Sequence, residues 1–153
     1  MKKSTAREIA VGLSFFAGNA SMTVPEAAEL FFDEEYYATL SAENELYAEY
    51  PEKKQMDYII RLASLTGEHR AQLDGYIEKY SQGWRVERLS RTAAMILRCA
   101  MCEILYMEDV PNKVAINEAV ELAKGYDDEK TVAFINGVLG SFVRGELQGE
   151  IGE

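Results

Sequence analysis

The chain has 153 residues, 48% hydrophobic and 27% charged, with a net charge of −10 at pH 7. That length is one domain's worth and can bury a core without metal or disulfide staples. No apolar run reaches the roughly 18 to 20 residues that span a bilayer, and the acidic balance argues against a general polyanion binder.

Taken in chain order, MKKSTAREIAVGLSFFAG opens with two lysines and a partly apolar stretch that Arg7 and Glu8 interrupt. That does not read as a signal peptide, and a cytoplasmic protein is expected. Thr5-Ala6-Arg7-Glu8 fits a capping box, which predicts a first helix over about 6–17 with Lys2 and Lys3 in a free arm ahead of it. Gly18-Asn19 stops it. Pro25 suits a first helical position, and EAAELFFDEEYYATL predicts a second helix. SAENELYAEYPE, 41–52, reads as a loop or an extension of that helix.

A third helix over roughly 53–65 places Met56, Ile59, Ile60 and Ala63 on one face and ends at Thr66-Gly67. A fourth, about 68–80, spaces Leu73, Tyr76, Ile77 and Tyr80 helically. Gly83-Trp84 marks a turn. From about 86 to 107 the hydrophobic period is nearly continuous, and Asp109-Val110-Pro111 ends it. Helices over about 113–125 and 131–144 follow, and the tail at 146–153 is expected to fray. No strand alternation, internal repeat or low-complexity tract interrupts the pattern. The prediction is an all-α bundle of about seven helices over 1–145, with an N-terminal three-helix part packed on a C-terminal four-helix part.

Charge is unevenly spread. Glu26 to Glu52 holds nine acidic residues and no Lys or Arg, so the other 126 residues carry 16 basic against 17 acidic groups. Any anion-binding surface must lie outside that segment and act locally.

Cys99 and Cys102 form a CxxC without a second pair, and the single histidine, His69, is far away in sequence. Inside a helical pattern they read as small core residues, with no metal site or cofactor implied. Arg98, in the middle of an apolar run, reads as a structural ion-pair partner. No GxSxG, P-loop, GxGxxG or Cys/His arrangement is present, so no enzyme is expected.

The last two helices carry the remaining signal. Ala115, Ile116, Ala119, Leu122 and Ala123 share one face of VPNKVAINEAVELAK. Its three alanines allow a neighbouring helix to approach closely. In TVAFINGVLGSFV, Ile135, Val138, Leu139 and Phe142 form the buried stripe. Phe134 lies to its side, either as a stacking platform for a base or as a rim residue that completes packing. Thr131 can cap this helix, with Lys130 just before it, and a helix start with free amides attracts phosphate.

ILRCAMCEILY at 96–106, VPNKVAINEAVELAK at 110–124 and FINGVL at 134–139 follow one another in an order and spacing that resemble the NusB family of transcription antitermination factors. AREIAVGL at 6–13 and the Trp84…Arg88-Leu89 turn are also similar to that family, so the resemblance spans nearly the whole chain. NusB-like domains also occur fused to RNA methyltransferases, but 153 residues leave no room for that enzyme.

The resemblance implies an RNA-binding protein of the boxA element in nascent ribosomal RNA transcripts. It would act with NusE, a ribosomal protein of the small subunit, on the elongating RNA polymerase. It implies RNA contacts at Lys2, Lys3, Arg7, Lys113, Lys130 and Phe134, and partner contacts at Phe15, Glu87 and Arg88. Two departures bear on this. The family's arm is often arginine-rich, whereas lysine offers a point charge in place of a bidentate fork. The acidic block at 26–52 repels RNA. The expectation is weak RNA binding alone and tighter binding with the partner. The alternative is a protein-interaction module or homodimer with little RNA affinity.

Overall fold

The structure, a computed structural model, describes residues 1–107 and 109–147. Among these, eight α-helices and no strand are found. The chain divides into two compact units, Met1–Glu68 and His69–Glu153.

The N-terminal unit contains α1 (Lys3–Asn19), α2 (Val24–Phe31), α3 (Glu34–Glu43) and α4 (Lys53–Glu68), with a 3-10 turn at Glu45–Tyr47. α1 turns Ala6, Ile9, Ala10, Leu13 and Ala17 inward, a 3.6-residue stripe. It packs against α4, which supplies Ile59, Leu62 and Ala63, and against α2.

The chain start differs from the sequence prediction. Thr5 does not cap α1; the helix begins at Lys3, and Lys2 stands at the N-cap without a side-chain bond. The Met1 amino group pairs with Glu49 at 2.5 Å, and Gln55 Nε2 donates to the Met1 carbonyl at 3.0 Å. Tertiary anchoring therefore adds a turn to the helix, and the two lysines are not in a free arm.

The expected second helix is two. Phe31 and Phe32 are both buried. Phe32 is the C-cap of α2, with φ −96° and ψ 8°. The chain leaves helical geometry there, and Asp33 caps α3 by accepting from Tyr36 N. Upstream, Thr23 and Glu26 form the capping box that α2 needs. The acidic block thus has local work: Glu26 and Asp33 are caps, and Glu34 and Glu35 sit in a first turn where the helix dipole favours them.

Tyr37 is the one buried residue of α3. Its ring meets those of Tyr50 at 5.0 Å, Tyr47 at 5.6 Å and Phe32 at 5.9 Å, and its hydroxyl donates to the Glu49 carbonyl at 3.0 Å. α4 runs past Thr66-Gly67 to Glu68, with the Thr66 hydroxyl donating to the Leu62 carbonyl inside the helix.

The C-terminal unit contains α5 (Arg70–Tyr80), α6 (Arg91–Tyr106), α7 (Asn112–Lys124) and α8 (Glu129–Phe142), closing with a π-turn at Val143–Leu147. α6 is central and apolar nearly all round: Ala93, Ala94, Ile96, Leu97 and Cys99 through Cys102 are buried. Both cysteines are buried in this core as thiols, without a disulfide. The long helix expected from 86 starts at Arg91 instead. A 3-10 turn, Val86–Arg88, precedes it, and Ser90 caps α6 by accepting from Ala93 N. Arg98, only 5% exposed, donates to Asp74 through Nε at 2.6 Å and Nη2 at 3.4 Å. Glu146 accepts from Lys79 at 2.6 Å and from the Tyr80 hydroxyl, which holds the chain as far as the π-turn. The rest of the expected tail, 148–153, lies outside the described residues.

Two outcomes follow from this packing. Asp74→Ala leaves the buried Arg98 charge without its fork and destabilises the protein by about 3 kcal/mol, the low end for a broken buried pair because Asp74 keeps some solvent; adding Arg98→Met recovers much of that in denaturant melts. Burial pushes the Tyr37 phenol up to about 12. The folded value lies above the ordinary value near 10, so the neutral phenol's contribution is complete below pH about 10 and is lost as pH rises through about 12. A tyrosinate absorbance titration finds a late class, which also holds Tyr47, Tyr50 and Tyr80, and Tyr37→Phe reduces it by one phenol.

Candidate nucleic-acid surfaces

In the N-terminal unit, Lys2 and Lys3 are exposed, and the Lys3 ammonium lies 4.9 Å from the centre of the Tyr58 ring. Arg7 is only 8% exposed, one turn into α1. That leaves the two lysines as the solvent-facing cations of the chain start. Phe15 is half-buried on α1.

In the C-terminal unit, Lys113 is exposed in the first turn of α7. Lys130 is exposed as the second residue of α8, and Phe134 follows one turn later on the same side. The helix cap is Asp128, not Thr131: its carboxylate accepts from Thr131 N at 2.8 Å. That backbone bond holds the Asp128 carboxyl below the usual carboxylate range. A phosphate at this helix end would therefore meet Asp128 and Glu129 before it met free amides. The amide site that the sequence suggests is already filled by the protein's own carboxylate.

Phe134 instead serves the flank. Its ring stands edge-on to Trp84, with centroids 6.4 Å apart at 64°. Trp84 is 54% exposed. Its position comes from a sharp turn after α5, in which Gln82 and Gly83 take φ of 56° and 92°. Gly83 suits that left-handed backbone, which a side chain strains. Ser81 fixes the turn, its Oγ donating to the Trp84 carbonyl at 2.7 Å. Gln82, Gly83, Trp84, Arg85 and Arg88 line an open cleft of about 380 Å³. Arg85, Glu87 and Arg88 are all exposed.

Neither Trp84 nor Arg85 emerges as a site residue from sequence reasoning. The signal available there was the only tryptophan of the chain next to arginines three apart. A larger cavity of about 560 Å³ lies between α7 and α8, but Glu121, Asp127 and Glu129 line it with one lysine, and Lys124 is paired to Glu121 at 3.1 Å. Its carboxylates disfavour an anion. Among the described residues, no group of three His, Cys, Asp or Glu is placed to hold a metal, and no helix is long and apolar enough to cross a membrane.

A family model described as the NusB family matches residues 4–144. The chain belongs to the NusB family. A curated relative, the transcription antitermination protein NusB of Natranaerobius thermophilus, is 35% identical over 142 residues, covering 91% of this chain and 92% of its own. The protein of the same name from Clostridium botulinum strain Kyoto is 34% identical over 143 residues, 94% of this chain and 100% of its own. The solved structure of T. maritima NusB superposes with a TM-score of 0.76 at 25% identity, covering 95% of this chain and 92% of that one. Membership of this non-enzymatic family agrees with a sequence that carries no catalytic motif.

The edge contact between Phe134 and Trp84 has a spectroscopic consequence. Phe134→Ala frees one side of the sole tryptophan, so its emission shifts to the red and acrylamide quenches it more strongly. The fold is retained, since Phe134 lies beside the buried stripe of α8 and not in it. Unchanged emission would mean the two rings do not hold each other in solution.

Proposed function

We propose that the protein is a cytoplasmic transcription antitermination factor. It binds a boxA-like stretch of single-stranded RNA in nascent ribosomal RNA transcripts, in complex with the ribosomal protein NusE, on the elongating RNA polymerase. The observation that carries this reading is the match to NusB proteins over residues 4–144, with relatives of that name aligned over nearly their full length. The distribution of cations and aromatics supports it. Lys2 and Lys3 on the N-terminal unit, and Lys113, Lys130 and Phe134 on the C-terminal unit, provide phosphate contacts and a ring for stacking. Phe15, Glu87 and Arg88 are the proposed partner contacts.

RNA affinity of the protein alone is modest. The exposed cations of the chain start are lysines, Arg7 is withdrawn from solvent, and nine carboxylates between Glu26 and Glu52 repel a polyanion that strays onto them. The partner therefore contributes much of the binding. The same charge pattern favours a second reading, an interaction module or homodimer that has lost its RNA.

Fluorescence anisotropy of a labelled boxA-like RNA separates the two. Binding that prefers boxA over a scrambled RNA, tightens with NusE and weakens with salt by about 0.7 log units per neutralised phosphate supports the antitermination reading. Lys2→Glu with Lys3→Glu then weakens it by about tenfold or more, since two phosphate contacts become repulsive. No binding even with NusE present would leave only the interaction module.

A further inference from the structure

We propose that Trp84, Arg85 and Arg88 form an additional nucleotide subsite on the C-terminal unit. The indole stacks an unpaired RNA base, and the two guanidinium groups hold the flanking phosphates. This rests on the RNA-binding reading above and names residues which that reading does not use for RNA.

Three observations carry it. The first is a large aromatic ring left open: Trp84, the only tryptophan of the chain, is 54% exposed. An indole usually contributes by burying its faces, and more than half of this one stays open. The second is that the ring is held ready. Ser81 fixes the backbone of its turn, and the edge of Phe134 braces it from α8. A platform already in place spends little conformational entropy on binding.

The third is the placement of charge. Arg85 and Arg88 are three residues apart around a 3-10 turn, where side chains at i and i+3 eclipse. Both line the cleft with Trp84, whereas Glu87 does not. Glu78, near the end of α5, is turned to the backbone, accepting from Val86 N at 3.3 Å. Arginine beside an aromatic face suits a nucleotide twice over, as a fork for phosphate and as a flat group over a ring. The cleft volume, about 380 Å³, falls within the range of about 300–1,000 Å³ typical of small-ligand sites. Lys130, one turn before Phe134 on α8, extends the cationic surface past the second ring. On this proposal Arg88 contacts RNA in place of the partner contact proposed above, and Glu87 alone stays with the partner.

The single tryptophan makes the test direct. A boxA-like RNA labelled at one end is titrated into the full chain with NusE present. Anisotropy reports RNA binding and Trp84 emission reports the subsite. Trp84→Phe serves as the blank, because it removes the signal and keeps a ring. The expected result is saturable quenching with the same midpoint as the anisotropy. Trp84→Ala then weakens binding about 5- to 100-fold, the range for losing one base stack, while Trp84→Phe loses little. Arg85→Gln with Arg88→Gln lowers the salt slope by about 1.4, two phosphates' worth.

RNA binding with unmoved emission and full affinity in Trp84→Ala would overturn the subsite and leave the antitermination reading intact. Emission that responds to NusE alone, with NusE affinity lost in Trp84→Ala, would give the surface to the protein partner and also overturn it. No RNA binding at all would remove both.

Discussion

How closely α7 can approach α6 and α8 is the constraint on which the C-terminal unit depends. Ala115, Ala119 and Ala123 are buried one turn apart along α7, which packs on α6 and α8, and α6 itself buries Ala93, Ala94, Ala100 and its two cysteines. Faces this small bring helix axes toward the short end of the usual 8–10 Å separation. Core interiors at crystal-like density do not absorb added methylenes without shifting a neighbour. The position of α8 follows from this packing, and the start of α8 sets where Lys130 and Phe134 stand. Phe134 in turn braces Trp84. The best-patterned helix of the sequence is thus a spacer: it carries no chemistry and fixes the elements that do.

The acidic character of the chain has a structural origin more than a functional one. Glu26 and Asp33 close helix starts, Glu34 and Glu35 favour a helix dipole, and Glu49 holds the Met1 amino group. Those roles account for a segment, residues 26 to 52, that holds nine acidic residues and no Lys or Arg. A net charge of −10 therefore coexists with a local run of exposed cations beside two aromatic rings. Within the C-terminal unit those cations attract a polyanion locally.

Much of the fold was legible in the sequence because α6, α7 and α8 are strongly periodic, and their motifs in order identified the family. Cys99 and Cys102 in the core and Arg98 in an ion pair follow from the same pattern. What was not legible is tertiary. The box at Thr5 and Glu8 satisfies every local rule, yet Met1, Glu49 and Gln55 extend α1 past it. The break at Phe32 is set by Asp33, whose side chain caps a new helix in the middle of a continuous apolar pattern. Asp128 takes the cap from Thr131 by lying three residues ahead of the amide that needs it. The pairing of Trp84 with Phe134, and the left-handed turn at Gln82-Gly83 that aims the indole, join residues fifty apart and leave no periodic trace.

The most direct measurement is ultraviolet crosslinking of the complete complex, with a boxA-like RNA and NusE, followed by peptide mapping of the crosslinked residues. The account predicts crosslinks on the peptides that contain Lys2 and Lys3 and on those around Lys130 and Phe134, with none between residues 26 and 52. Crosslinks concentrated in that acidic segment, or their absence from both cationic regions while RNA is bound, would contradict it.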